Sequence, residues 1–248
     1  GKNPHPQSFV VGGVTCVQDI KNPARIAEFK QILKLAQKFT KEAYLPDIYM
    51  AGTMYADEAL EGIGGGIGNY MSYGDFRLDD TPFYEAAKLF PSGIVKNRDL
   101  SKVFEVDQTK ITEDVTHAWY EGKTNLHPYD GETKPNYTGF GKKEDNIAYL
   151  DTQNKYTWIK SPLHDDERME VGPLARMIIG VAKGDERISK YVTTFLKNGN
   201  LPIKVLFSTV GRTAARAIET ELMADVMMEW VDELASNVAH GDLSTWTE

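Results

Sequence analysis

Positions 62–68 read Gly-Ile-Gly-Gly-Gly-Ile-Gly, a glycine density that would suit a phosphate-cradling loop. The spacing does not fit. No glycine triplet has the one-then-two gap of the dinucleotide fingerprint, and no Gly-Lys-Ser/Thr follows. The run reads instead as a turn-forming loop. The histidines are His5, His117, His127, His164 and His240, and none stands at metal-ligand spacing from another. His164-Asp165-Asp166-Glu167 offers oxygen and nitrogen donors for a loosely held cation, but such acidic runs are usually solvated. A glycosidase needs two carboxyls across a cleft. The chain has 36 Asp and Glu residues, and sequence fixes no distance between any two. Tyr and Trp within 119–158 suit a sugar cleft and a protein interface equally. Cys16 lies in the apolar run Val11–Val17, where a thiol is buried and inert rather than nucleophilic.

Composition narrows the classes further. With 41% hydrophobic and 26% charged residues in 248, the chain reads as globular and long enough for a substantial core. A net charge of −8, with no basic cluster longer than pairs such as Lys142-Lys143, argues against nucleic acid. No stretch approaches the ~20 apolar residues that span a bilayer. One cysteine excludes an internal disulfide, and a thiolate metal site would need ligands from elsewhere. The chain opens Gly1-Lys2-Asn3-Pro4-His5-Pro6 without an apolar leader core or an initiating Met. The expectation is a piece cut from a longer chain.

The elements that would position these groups are mainly helical. Asn22 can cap a helix and Pro23 suits its first position. Ile26, Phe29, Leu33, Ala36, Phe39 and Ala43 then recur at three- and four-residue steps. Pro46 is expected to end that helix, with Ile48–Ala51 a short strand or a buried extension. Short strands are expected at Tyr70–Phe76, Gly93–Val95 and Val103–Val106, with a turn at Asn97–Asp99. A helix is expected at Ile111–Tyr120. Residues 122–157, rich in Gly, Pro, Asn and Asp, read as a long ordered loop, functional or packed on a partner. Helices return at Pro173–Val181, broken by Gly184, and again after Asp185. The longest follows Pro202, with Ile218, Leu222, Val226, Trp230 and Leu234 in a broad apolar stripe. The fold class is therefore α+β, mainly α, with long helices at about 23–45 and 203–239, small β elements and a long ordered loop.

Several blocks resemble the large subunit of nickel-iron hydrogenases of the respiratory uptake type. They are Gly1-Lys2-Asn3-Pro4-His5-Pro6-Gln7 with Val10–Cys16; His117–Gly122 with His127-Pro128-Tyr129; Tyr156-Thr157-Trp158-Ile159-Lys160-Ser161-Pro162; Met169-Glu170-Val171-Gly172-Pro173-Leu174-Ala175-Arg176; and Leu206–Arg216. They stand in family order and cover essentially the whole chain. The resemblance makes residues 1–248 a single central portion of such a subunit. It implies reversible oxidation of H2 to protons and electrons, with an iron-sulfur small subunit and the flanking parts of the same large subunit as partners, whose long helices pack against the central ones. It also implies a periplasmic site, membrane-associated through partner subunits rather than by direct insertion.

The family holds nickel and iron on two Cys-x-x-Cys motifs, since soft thiolates suit and bridge these metals. Neither motif occurs here, and Cys16 matches a position that is not a ligand. The portion by itself is expected to be metal-free and inactive, with no catalytic or metal-ligating residue of its own. By the same resemblance His5 lies near the partner's proximal iron-sulfur cluster. Lys160 and Glu170 approach the Ni-Fe centre from behind, either orienting ligands and ordered water or as partners in structural ion pairs. The family often has Pro-Arg where Pro162-Leu163 stands, so no role passes to that arginine. The competing readings are a truncated scaffold or binding module, and a relative of the quinone-reducing subunit of respiratory complex I.

Overall fold

The computed structural model describes residues 9–10, 13–14, 22–79, 81–82, 85–141, 143–144 and 147–243. In chain order it has the strands β1 (Phe9–Val10) and β2 (Gly13–Val14), then the helices α1 (Pro23–Phe39), α2 (Leu45–Met54) and α3 (Ala56–Glu61). Strands follow: β3 (Tyr70–Ser72), β4 (Asp75–Arg77), β5 (Lys88–Phe90), β6 (Gly93–Val95), β7 (Ile111–Asp114), β8 (Lys143–Glu144), β9 (Ile147–Ala148), β10 (Ser161–His164) and β11 (Glu167–Arg168). Helices α4 (Pro173–Ala182), α5 (Glu186–Asn198) and α6 (Thr209–Ala239) complete the order. The chain is thus mainly helical with small sheets, as its patterning indicates. It forms two compact units, Asp57–Ala215 and the two flanks Gly1–Ala56 with Arg216–Glu248.

In the flanking unit, Asn22 caps α1 through its side chain, which accepts from Ala24 N–H. Pro46 does not end the helix. A π-turn at Thr40–Tyr44 joins α1 to α2, with Leu45 N–H bonded back five residues to Thr40 O. The wider register passes the chain into a new first turn, where Pro46 has no N–H to supply and needs none. Ile48–Ala51 is therefore helical. Of the predicted apolar face only Leu33 is buried, joined by Thr40 and Leu45. Asp225 accepts from Gln37 Nε2 at 3.0 Å and Lys41 Nζ at 2.9 Å, and Lys30 pairs with Asp232, so α1 lies along α6. Ile218, Leu222, Val226 and Val231 form the buried side of α6, while Met227 and Leu234 stay exposed.

The central unit is built on antiparallel pairs. β3 pairs with β6, β4 with β5, and β10 with both β7 and β11. Tyr70–Phe76 is thus two strands, broken where Gly74 takes φ +103°. Val103–Val106 reaches the sheet only at Phe104, opposite Ile94. Asn97 and Arg98 make the predicted turn, both with positive φ. α4 covers β3 and β6, and α5 packs on α4. Met177, Ile178, Ile179, Ile188 and Leu206 are fully buried. Gly180 permits the α4–α5 approach, since a Cβ there would strike the Ile188 side chain. Asp185 caps α5 by accepting from Ile188 N–H. The last helix starts at Thr209 rather than 203, because Ile203–Leu206 is a 3-10 turn ahead of it.

The helix expected at Ile111–Tyr120 is instead β7 followed by turns. Ile111, Thr112, Val115 and Thr116 are β-branched and favour extended backbone. The Asp114 carboxylate accepts from Thr116 N–H at 2.8 Å, a local bond that competes with the helix ladder. Lys155 then takes the carbonyls of Ala118 and Tyr120, at 2.6 and 2.9 Å, that a helix would have spent on itself. Among the described residues of the loop 122–157, the strands β8 and β9 pair antiparallel. The β10–β11 hairpin lies at the acidic run: Asp165 and Asp166 both have positive φ, the two-residue turn that suits strand twist.

Candidate functional site

Two ion pairs of the central unit lie where the chain enters and leaves the β10–β11 hairpin, at its open end. Glu170 follows β11 and is held on both backbone sides: its N–H donates to Asn69 O and its carbonyl accepts from Met71 N–H. Its carboxylate meets Arg212, in the first turn of α6, through Nε at 2.5 Å and Nη2 at 2.8 Å. The charged, two-pronged contact fixes both side chains, and the bond to Glu170 raises the arginine's affinity for its proton.

The glycine run is the third party. Arg212 Nη1 donates to Gly64 O, and Arg98 Nη2 donates to Gly65 O at 3.0 Å. Thr209 N–H reaches Ile63 O, and Arg98 N–H reaches Gly68 O. The turn-forming loop is thus ordered by two arginines from separate elements. Gly64 and Gly66 have φ of +69° and +67°, and a Cβ on Gly66 would stand 2.5 Å from Arg212 Nη2. Tyr70 and Arg98 both lie against the Phe207 ring, each at 5.7 Å. The Tyr70 hydroxyl is buried with no hydrogen-bond partner among the described residues. Burial first, and the Glu170 charge second, push its ionisation up.

Lys160 precedes β10. Its Nζ donates to Glu113 Oε2 at 2.8 Å and Thr133 Oγ1 at 2.9 Å, over the Tyr120 ring at 5.4 Å. It lines a polar cavity of about 170 Å³ with Glu113, Glu121, Lys123 and Lys134. Beside it, Trp119 meets Tyr137 and Trp158 edge-on, which gives the loop 122–157 its anchor. Burial opposes ionisation of Asp114. Hydrogen bonds from Thr116, Thr124 and Arg168 outweigh it and hold the carboxyl well below the usual range.

Of the residues expected to matter, Lys160 and Glu170 are therefore both in ion pairs, with Glu113 and Arg212. His5 and Cys16 lie outside the described residues. His164 is buried, with Nε2 accepting from Asp107 N–H at 3.2 Å, while Asp165, Asp166 and Glu167 are exposed. His117 and His127 make backbone contacts in separate turns. Sequence reasoning gave no role to Arg212, Arg98 or Glu113. Arg212 carried a signal: a cation in a helix's first turn opposes the helix dipole and needs a fixed carboxylate.

No group of three or more His, Cys, Asp or Glu among the described residues is placed to hold a metal ion. The whole sequence supplies one thiol. This donor set does not fit a centre of two metals bridged by thiolates.

The profile of the nickel-dependent hydrogenase family matches residues 1–248. The chain is 40% identical to the quinone-reactive Ni/Fe-hydrogenase large chain of Wolinella succinogenes, over 99% of this chain and 43% of that protein. It is 35% identical to the hydrogenase-1 large chain of Escherichia coli, over 99% and 44%. Among solved structures, the reduced, active Ni-Fe-Se hydrogenase from Desulfomicrobium baculatum aligns with a TM-score of 0.67 at 30% identity, over 99% of this chain and 46% of that one. The chain spans less than half the length of these relatives. A profile match from first residue to last, with the same fold in a solved relative, makes this chain a member of the nickel-dependent hydrogenase family.

Proposed function

We propose that the chain is the central portion of a nickel-iron hydrogenase large subunit of the respiratory uptake type, serving the reversible oxidation of H2 to protons and electrons. The observation that carries this is the 40% identity to a Ni/Fe-hydrogenase large chain along 99% of the chain. The metals' ligands belong to other parts of the subunit, because the donors within these 248 residues do not fit the centre. No step of the hydrogen chemistry is assigned to a residue here.

What the chain contributes is a frame. Glu170, gripped by Arg212, ties the β10–β11 hairpin to the glycine loop and to α6. Lys160, bonded to Glu113 and Thr133, ties the strand that enters the hairpin to β7 and the long loop. Both are positioning residues, whose rigidity orients groups nearer the reaction. His5 is assigned to the contact with an iron-sulfur small subunit, where an imidazole supplies one donor and one acceptor at the electron exit. The compartment that follows from this reading is periplasmic, with membrane association through partner subunits. Among the described residues no helix is long and apolar enough to cross a membrane.

The test has two arms. Nickel and iron are first measured per mole of the purified 248-residue chain. The expected result is no stoichiometric metal, and one nickel and one iron per chain would overturn the assignment of ligands. These residues then replace the matching segment of the Wolinella succinogenes large chain, and H2-dependent dye reduction is assayed in the assembled enzyme. Retained turnover is expected. A chimera that assembles and carries both metals but does not oxidise H2 would sink the proposal.

A further inference from the structure

His164 closes β10 with only 7% of its surface exposed. It stands opposite Ile111 of β7 and Glu167 of β11. Its Nε2 lies 3.2 Å from the backbone nitrogen of Asp107, whose N–H can only donate. Nε2 therefore carries no proton, and the proton of the neutral ring sits on Nδ1. Nδ1 is buried without a hydrogen-bond partner among the described residues. Chain packed on the outside of the unit would not reach these atoms.

The bond pins a short segment. Asp107 caps the 3-10 turn Gln108–Lys110 through its side chain, which accepts from Thr109 N–H. At the far end of that turn Lys110 O accepts from Asp165 N–H at 3.1 Å, and Lys110 Nζ pairs with Asp165 at 3.3 Å. The tip of the β10–β11 hairpin thus holds the turn at both ends. The turn in its place holds the long loop, because Gln108 O accepts from His127 Nε2 at 3.2 Å. His127 donates through Nε2, so that bond survives protonation of its ring. The bond at His164 does not: an imidazolium carries hydrogen on both nitrogens and would set one N–H against another.

The charges around the ring do not offset this. Asp165 is paired with Lys110, and Glu167 with Lys96. Asp166 is exposed at the hairpin tip. Asp107 is exposed as well, and its Oδ1 is already taken by Thr109 N–H and Oγ1, so its attraction is screened by water. A buried positive charge with neither N–H accepted is costly. We propose that His164 is an acid-sensitive latch: the neutral imidazole pins the Asp107–Lys110 turn to the hairpin, and protonation releases the turn and with it the loop that His127 ties down. The latch belongs to the fold and stands apart from the hydrogen chemistry proposed above.

The test is hydrogen exchange of the 248-residue chain, read by mass spectrometry at about pH 8 and about pH 5, the range over which histidine side chains change charge, and corrected for the intrinsic rate of exchange. Protection of residues 105–112 is expected to fall about tenfold on acidification, the effect of one lost hydrogen bond, while α4 keeps its protection. His164→Gln puts a carbonyl oxygen near the place of Nε2 and does not titrate, so it should hold the turn equally in base and acid. His127→Asn leaves His164 intact and should keep the acid response. The ring gives a second readout in the unaltered chain, where imidazole nitrogen NMR shifts at the alkaline end should show the His164 proton on Nδ1. Three results would each overturn the proposal: parent protection that ignores pH, an acid response that persists in His164→Gln or vanishes in His127→Asn, or a His164 proton found on Nε2.

Discussion

Arg212 holds both carboxylate oxygens of Glu170, at 2.5 and 2.8 Å, and gives its remaining nitrogen to the carbonyl of Gly64. One side chain thereby joins the start of α6, the exit of the β10–β11 hairpin and the glycine loop. Glu170 is 17% exposed and Arg212 32%, so water screens the pair only in part. Arg212→Met should cost about 2–4 kcal/mol, because Glu170 and Gly64 O both lose their donor. Adding Glu170→Gln to Arg212→Met should recover part of that loss, since no charge is then stranded. Urea unfolding of the two single variants and the double variant measures this, and strict additivity would mean the contact does not couple the residues.

Gly64 is constrained twice. Its φ of +69° lies in the left-handed region, and a Cβ would run into the Thr209 side chain. Gly64→Ala should therefore destabilise by more than the ~1 kcal/mol that φ alone costs. Gly64→Ala combined with Thr209→Gly should return towards the φ penalty by itself. A thermal melt of both variants separates the steric part from the backbone part.

Much of this arrangement was legible in the sequence, and the rest was not for identifiable reasons. Asn22-Pro23, Gly184-Asp185 and the Asn97–Asp99 turn are local signals, and each acts where it stands. Pro46 misled because the remedy, a π-turn at Thr40–Tyr44, leaves no mark in composition. Residues 111–120 misled because their fate is set by distant partners. β10 pairs with β7, and Lys155 takes carbonyls some 35 residues earlier in the chain. The site was legible by half. Glu170 and Lys160 stood out through their blocks, but their partners Arg212 and Glu113 are 42 and 47 residues away. Charge pairing at that range is a property of the fold.

Lys155 offers a direct test of the second case. Its ammonium donates to Ala118 and Tyr120 at 2.6 and 2.9 Å, with Val115 O at 3.4 Å. Lys155→Met keeps the stem and removes every donor. The expected cost is about 2–4 kcal/mol, from carbonyls left without partners. Hydrogen exchange should rise in residues 115–120 before it rises in α4. Uniform protection across that turn in the variant would show that the lysine does not hold it.

Asp114 predicts the acid limb of stability. Its folded pKa lies far below the unfolded value of about 3.9. The stabilisation is complete above that unfolded value and is lost as pH falls towards the folded one, because the unfolded chain takes up the proton first. Asp114→Asn should cost roughly 2–3 kcal/mol at neutral pH. The gap from the parent protein should narrow steadily below about pH 4. Urea midpoints at neutral and acid pH measure it, and a pH-independent gap would assign the effect to shape rather than charge.

Glu221 should behave in the opposite sense. Burial raises its pKa first. The Asp225 charge adds to the rise, and Lys41, already bonded to Asp225, offsets only part of it. The folded protein therefore keeps the Glu221 proton to a higher pH than the unfolded chain, whose value is about 4.3. Below that value both states are protonated and the site is neutral in its effect. As pH rises through the folded value, a charge is forced onto the α1–α6 contact and stability falls. Glu221→Gln removes the titration, so it should be more stable than the parent at neutral pH and equal to it near pH 4. Thermal melts across that range decide the matter: a variant less stable than the parent at neutral pH would mean that Lys41 pairs with Glu221 more strongly than burial opposes it.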